Sequence, residues 1–151
     1  MVSSVICLQE TVPFEADERQ RLMIPEGLLG FEEYTDYLLF GSKELCPFRV
    51  LQALDEMTTI FLVVEPHFFF SDYRLELCEA DKRLLELADP AEALVLALLV
   101  VPEDPLETTA NLLAPLVVNP TNGLCRQVVL RDSPYTVREL VFAKSSASQS
   151  P

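Results

Sequence analysis

The chain has 151 residues, half of them hydrophobic, and 24 acidic against 11 basic side chains leave a formal charge of −13. A chain of this length folds as one domain burying roughly 68–70% of the surface its unfolded form exposes, and its 23% of charged residues is that of a globular protein. Such a charge argues against direct binding to nucleic acid or anionic lipid, whose phosphates it repels; it suits basic protein partners, and equally plain solubility.

Taken in chain order, residues 5–12 (VICLQETV) predict a first strand and residues 14–20 a polar turn. Residues 21–24 read as a short strand ended by Pro25-Glu26-Gly27, with Gly27 and Gly30 bracketing a tight connection that needs positive φ. Residues 37–40 are the next run. Residues 48–54 and 59–64 pair as a hairpin across Asp55-Glu56-Met57-Thr58, and Pro66 stops the second strand. After His67-Phe68-Phe69-Phe70 and the turn Ser71-Asp72, residues 73–77 form a further apolar run. Residues 79–87 are the good helix candidate: Leu84, Leu85 and Leu87 share a face, and Glu79 stands four residues before Arg83. Asp89-Pro90 is expected to end it.

Residues 93–101 are apolar throughout and bounded by Pro90 and Pro102, which fits a buried strand despite the helical propensity of Leu and Ala. Residues 112–118 and 127–130 are two more strands around the turn Asn122-Gly123. Residues 135–140 add a last one, and residues 144–151 (KSSASQSP) are expected to be a disordered polar tail. Short strands punctuated by turns predict a mostly β fold, an antiparallel barrel or sandwich with one short helix near residues 79–87.

The cysteines, Cys7, Cys46, Cys78 and Cys125, are widely spaced beside apolar residues and read as buried free thiols of a reducing compartment. With one histidine and no C-x-x-C pair, no metal site is expected, and no motif asks for a cofactor. The start of the chain lacks a positive n-region, and the most apolar segment is about half a membrane span. A soluble cytoplasmic protein, without membrane contact, is the expectation.

Signals for catalysis are sparse. His67 reads as an interior or edge-packed histidine; no G-x-S-x-G elbow occurs, and four glycines leave little room for a phosphate loop. The aromatic cluster Phe68-Phe69-Phe70 has no basic neighbour before Arg74, against base stacking. The acid pairs Glu32-Glu33, Asp55-Glu56 and Glu103-Asp104 allow one enzymatic alternative, a small carbohydrate-active or hydrolytic β domain with two carboxylates facing one substrate. Solvated turns are the simpler reading. In Pro102-Glu103-Asp104-Pro105 two prolines fix φ and remove two amide donors, giving a rigid loop that presents two acids. Thr108-Thr109-Ala110-Asn111 then supplies side chains that bond local backbone. The segment reads either as a strand connection or as a preorganised acidic knuckle for a basic partner.

That segment, with Thr109-Ala110-Asn111-Leu112-Leu113-Ala114-Pro115-Leu116-Val117-Val118-Asn119-Pro120 and Gln127-Val128-Val129-Leu130, closely resembles the flagellar assembly factor FliW family. Pro25-Glu26-Gly27-Leu28-Leu29-Gly30-Phe31-Glu32, Phe61-Leu62-Val63-Val64-Glu65-Pro66 and Phe69-Phe70-Ser71-Asp72-Tyr73 match further family segments in the right order. Leu29 departs from the family's usual proline and Glu65 from its usual asparagine. The resemblance implies a compact barrel-like β domain over residues 1–143, with residues 144–151 as its tail, and no enzyme activity. It implies two partners in the cytoplasm: newly made flagellin, and CsrA, a small dimeric RNA-binding repressor of flagellin translation. Accumulating flagellin captures the factor and frees CsrA to repress. A monomer when free is expected. The contact residues expected on this basis are exposed polar positions in the matched motifs, Glu103, Asp104, Thr109 and Asn111, then Glu32 and Asp72. Phe69 and Phe70 rank below them as an apolar anchor. Asn119, before Pro120, is expected to form a turn.

Overall fold

The computed structural model describes residues 18–131 and 133–142. The strand expected at residues 5–12 and the tail at 144–151 lie outside them. Among the described residues nine strands form: β1 Glu18–Met23, β2 Asp36–Gly41, β3 Phe48–Ala53, β4 Ile60–Val64, β5 Leu94–Val100, β6 Thr109–Ala110, β7 Leu116–Val118, β8 Cys125–Gln127 and β9 Glu139–Leu140. One helix, α1 Glu79–Leu85, precedes β5, and short 3-10 turns sit at Pro66–Phe68, Pro90–Glu92 and Pro105–Glu107. The strand order is β1-β2-β3-β4-β5-β6-β9, with β7 joining β5 to β8. Every ladder is antiparallel.

β5 is the hub. Residues Ala97 to Leu99 pair with β4, Leu99 and Val100 with β6, and Leu94 to Leu96 with β7. This fits the apolar run at residues 93–101: Leu96, Ala97 and Leu99 are buried between sheet neighbours and core, while Val100 at the end of the strand is exposed. Elsewhere the pleat alternates as a half-buried strand should; β2 buries Tyr37, Leu39 and Gly41 and half-exposes the residues between. The largest core cluster joins Leu22, Ile24, Tyr37, Leu39 and Leu51 of the first strands to Leu96, Leu116, Val118 and Cys125. A second gathers Val64, Ala97, Leu99, Ala110 and Leu112 under aromatic rings, and a third seats Leu85 and Leu87 of the helix region on Val117 and Val128.

Several expectations need correction. The sheet is not closed into a barrel: an isolated parallel bridge, Met23↔Leu124, joins the end of β1 to the approach to β8, and no ladder extends it. Of the residues expected to turn, Glu18, Arg19 and Gln20 are already paired to β2, and residues 14–17 lie outside the described residues. Residues 73–77 join no ladder. The strands expected at 112–118 and 135–140 shrink to β7 and β9, Asn111 and Ser133 holding the chain in turns before them, and the strand expected at 127–130 is instead β8 at Cys125–Gln127, sharing only Gln127 with it. α1 stops at Leu85, before Asp89-Pro90. Glu86 takes left-handed φ of 60°, its N–H turning back to the carbonyls of Lys82 and Arg83. As a result Leu84 is exposed while Leu85 and Leu87 are buried, and Glu79 pairs with Lys82 at 2.8 Å rather than with Arg83. Of the described cysteines, all free, Cys125 is buried but Cys46 and Cys78 are exposed. Burial pushes the Cys125 thiol up, far from reactivity.

Two glycines are required where they stand. Gly27 has φ +70°, and a Cβ there would lie 2.5 Å from the Glu32 backbone; Gly123 has φ +81°, and its Cβ would meet the Arg21 carbonyl oxygen at 2.8 Å. Both turns close against neighbouring chain.

Candidate functional site

The loop between β5 and β6 carries the expected acidic knuckle. β5 ends at Val100, and Pro102 cannot continue its ladder. Asp104 then caps the Pro105–Glu107 turn: its Oδ1 accepts from the Leu106 N–H at 3.1 Å. The buried Thr108 donates its hydroxyl to the Pro105 carbonyl at 2.6 Å, closing the loop. Thr109 leads back into β6, paired to Val100 on one side and Leu140 on the other. Asn111 accepts from the N–H groups of Leu113 (3.2 Å) and Ala114 (2.9 Å). The loop is therefore rigid through local bonds, and those bonds occupy Asp104 and Asn111. Glu103 remains exposed and, among the described residues, makes no hydrogen bond or ion pair, with the exposed Leu106 in the same loop.

The other expected residues fall elsewhere. Glu32 lies in the β1–β2 connection, where its Oε2 accepts from the Gly30 N–H at 3.2 Å. Asp72 is an exposed turn residue whose carbonyl accepts from the Tyr135 hydroxyl. Phe69 stacks on Phe48 and sets its edge to Phe142, and Phe70 packs on the same second core cluster. Both are half-buried; the exposed aromatic of the run is Phe68, stacked on His67 with centroids 4.5 Å apart. His67 itself is exposed rather than interior, its Nδ1 3.8 Å from Glu65. The knuckle residues Glu103, Asp104, Thr109 and Asn111 thus form one contiguous element, with Glu32 and Asp72 on separate loops.

The departures from the family pattern have local consequences. The Leu29 N–H donates to Gln127 Oε1 at 2.8 Å, a bond proline could not make. Glu65 does not cap the Pro66–Phe68 turn; it pairs with Arg49 at 3.1 Å.

Sequence reading missed a polar cluster at the start of α1. Asp81, the buried carboxylate among the described residues, lies 2.9 Å from Arg126 Nε, though not aligned for a hydrogen bond, and accepts from the Cys78 thiol at 3.2 Å. Arg126 also bonds Glu26, and that bond first, with both carboxylates' charges, pushes its guanidinium pKa up against burial. These partners are up to 100 residues apart, so no sequence spacing signals them. Asn119 was a turn former by sequence and is one, accepting from the Thr121 N–H at 3.0 Å; it also donates to the carbonyls of Leu85 (2.9 Å) and Glu86 (3.2 Å), capping the helix.

The acid pairs do not converge. Glu32-Glu33, Asp55-Glu56 and Glu103-Asp104 sit on separate exposed loops, Asp55 accepting from the Thr35 N–H and Glu56 from the Thr58 hydroxyl. Among the described residues no group of three or more His, Cys, Asp or Glu is poised to hold a metal, and no helix is long and apolar enough to cross a membrane.

Comparison with known proteins places these features. The chain matches the family model described as FliW protein over residues 8–141. It is 32% identical over 128 residues to the flagellar assembly factor FliW of Clostridium botulinum (strain Alaska E43 / Type E3), spanning 85% of this chain and 91% of that one. Against the flagellar assembly factor FliW of Bacillus subtilis (strain 168) identity is 34%, over 85% and 90% of the two chains. Against that of Leptospira interrogans (serovar copenhageni) it is 34%, over 91% and 94%. A crystal structure of the flagellar assembly factor FliW superposes with a TM-score of 0.75 at 28% identity, covering 81% of this chain and 85% of its own.

Proposed function

Because this chain belongs to the FliW family of flagellar assembly factors, we propose that it is a non-enzymatic, cytoplasmic regulator that binds flagellin and CsrA in exchange, so that the flagellin level sets flagellin translation. The match over residues 8–141 carries this reading. The charge of −13 agrees with it, since a partner built to hold RNA is itself basic. An exchange of partners needs coupled binding states and no catalytic group. Glu103, on a loop made rigid by Asp104 and Thr108, is the best placed of the expected contacts, because a preorganised loop has little ordering entropy left to lose on binding. We further propose one domain over residues 1–143, barrel-like in that the Met23–Leu124 bridge brings the sheet's ends together, and a monomer when free.

The hydrolytic alternative draws no support from the acids, whose pairs stand in solvent on separate loops, while buried Asp81 is held by Arg126. Binding to purified CsrA at rising salt tests the proposal. Affinity should fall as rim charges are screened, the screening length being about 10 Å at 0.1 M salt; absence of binding to both CsrA and flagellin overturns it.

A further inference from the structure

The segment between the Pro66–Phe68 turn and α1 behaves as a strand that lacks a sheet. Over residues 73–78 exposure alternates, with Tyr73, Leu75 and Leu77 half-buried and Arg74, Glu76 and Cys78 exposed. Leu75 and Leu77 are anchored on the third core cluster, and the Tyr73 hydroxyl donates to the Leu112 carbonyl at 2.8 Å, so the segment is held in place. Yet among the described residues the backbone N–H groups of residues 74–77 find no partner. A fixed segment with alternating exposure and unpaired amides is a template for another strand.

A groove of about 550 Å³ runs beside it. Leu75, Leu77, Val95 and Val117 give it apolar walls, and Glu65 and Glu76 are its charged residues; no lysine or arginine lines it. Arg49, which pairs with Glu65, lies on the far side in a separate hollow beside Gly41 and Phe48. Glu65 turns its other oxygen toward His67. The groove therefore offers apolar contact, negative charge and open backbone together.

We propose that this groove takes an extended segment of a partner protein, added as a strand along residues 74–77, with apolar side chains alternating with lysine or arginine. Main-chain bonds to the ridge supply affinity, the pocket takes alternate apolar side chains, and the basic ones meet Glu76, Glu65 being already paired with Arg49. The proposal deepens the reading of the chain as a protein-binding regulator and rests on it.

The test is an NMR titration of the full chain with the peptide acetyl-Lys-Val-Lys-Val-Lys-Val-amide. Saturable shifts are expected at the amides of residues 74–77. Glu76→Lys, at an exposed position, should weaken binding about tenfold or more, as should N-methylation of alternate peptide amides, while a Glu-Val peptide should not bind. Absence of shifts at 74–77, equal affinity for Glu76→Lys, or equal binding of the Glu-Val peptide overturns the proposal. So does concentration-dependent dimerisation that Glu76→Lys abolishes, which would give the groove to a second copy. If flagellin and CsrA bind the wild-type and Glu76→Lys chains alike, the groove proposal falls and the partner-binding reading stands. If neither binds the wild type, that reading falls, and the peptide titration still judges the groove.

Discussion

The β5–β6 loop and the ridge at residues 73–78 are both rigid, for opposite reasons. The loop is held by bonds that reach two or three residues along the chain, from Asp104 to Leu106, from Thr108 to Pro105 and from Asn111 to Ala114. The ridge is held from a distance: Leu75 and Leu77 pack on Val117 and Val128, Tyr73 reaches Leu112, and the helix after it is capped by Asn119, 34 residues beyond Leu85. The loop satisfies its own backbone groups and leaves the acids Glu103 and Glu107 to solvent. The ridge leaves the N–H groups of residues 74–77 open among the described residues. A locally closed loop suits a charged contact; a tertiary-held ridge with free amides suits strand addition.

Substitutions can break this contrast. The largest effect is expected for Asn119→Ala, which removes the cap on α1 and the bond that turns Thr121. Leaving these groups without a partner should cost about 2–3 kcal/mol in a denaturant titration. Leu77→Ala loosens the ridge from its cluster; for a half-buried leucine a cost of about 2 kcal/mol is expected, with loss of amide protection in hydrogen exchange concentrated around α1. Asp104→Ala removes a local cap, and about 1 kcal/mol should be lost, read as a small drop in Tm. Glu103→Lys touches no internal bond. Its stability should stay within about 0.5 kcal/mol of wild type while CsrA binding weakens and loses part of its salt dependence. A large stability loss there would assign Glu103 to structure.

The same contrast explains what the sequence disclosed. Features with local causes were legible: Gly27 and Gly30 at positive φ, the turn at Asn122-Gly123, the hairpin across residues 55–58, the proline-bounded β5, and the locally bonding residues Thr108 and Asn111. Features with distant causes were not. The helix end at Glu86 is held by Asn119, the burial of Asp81 depends on Arg126, and the approach of the sheet's ends rests on a bridge between residues 23 and 124 that no ladder extends. Residues 73–77 have the alternation of a strand, and alternation reports burial on one face, not the presence of a neighbour to pair with. At the candidate site, sequence identified the rigid loop but could not divide Asp104, spent on a cap, from Glu103, free in solvent. Nor could it tell that Phe69 and Phe70 turn inward while Phe68 turns out.

Competition most directly tests the central claim. The chain is titrated with purified flagellin and with CsrA separately, and then with CsrA while flagellin is raised. Each is expected to bind alone, and flagellin to lower the apparent affinity for CsrA, with CsrA lowering that for flagellin by the same factor. Binding of neither partner, or binding of both with no effect of one on the other, would contradict it.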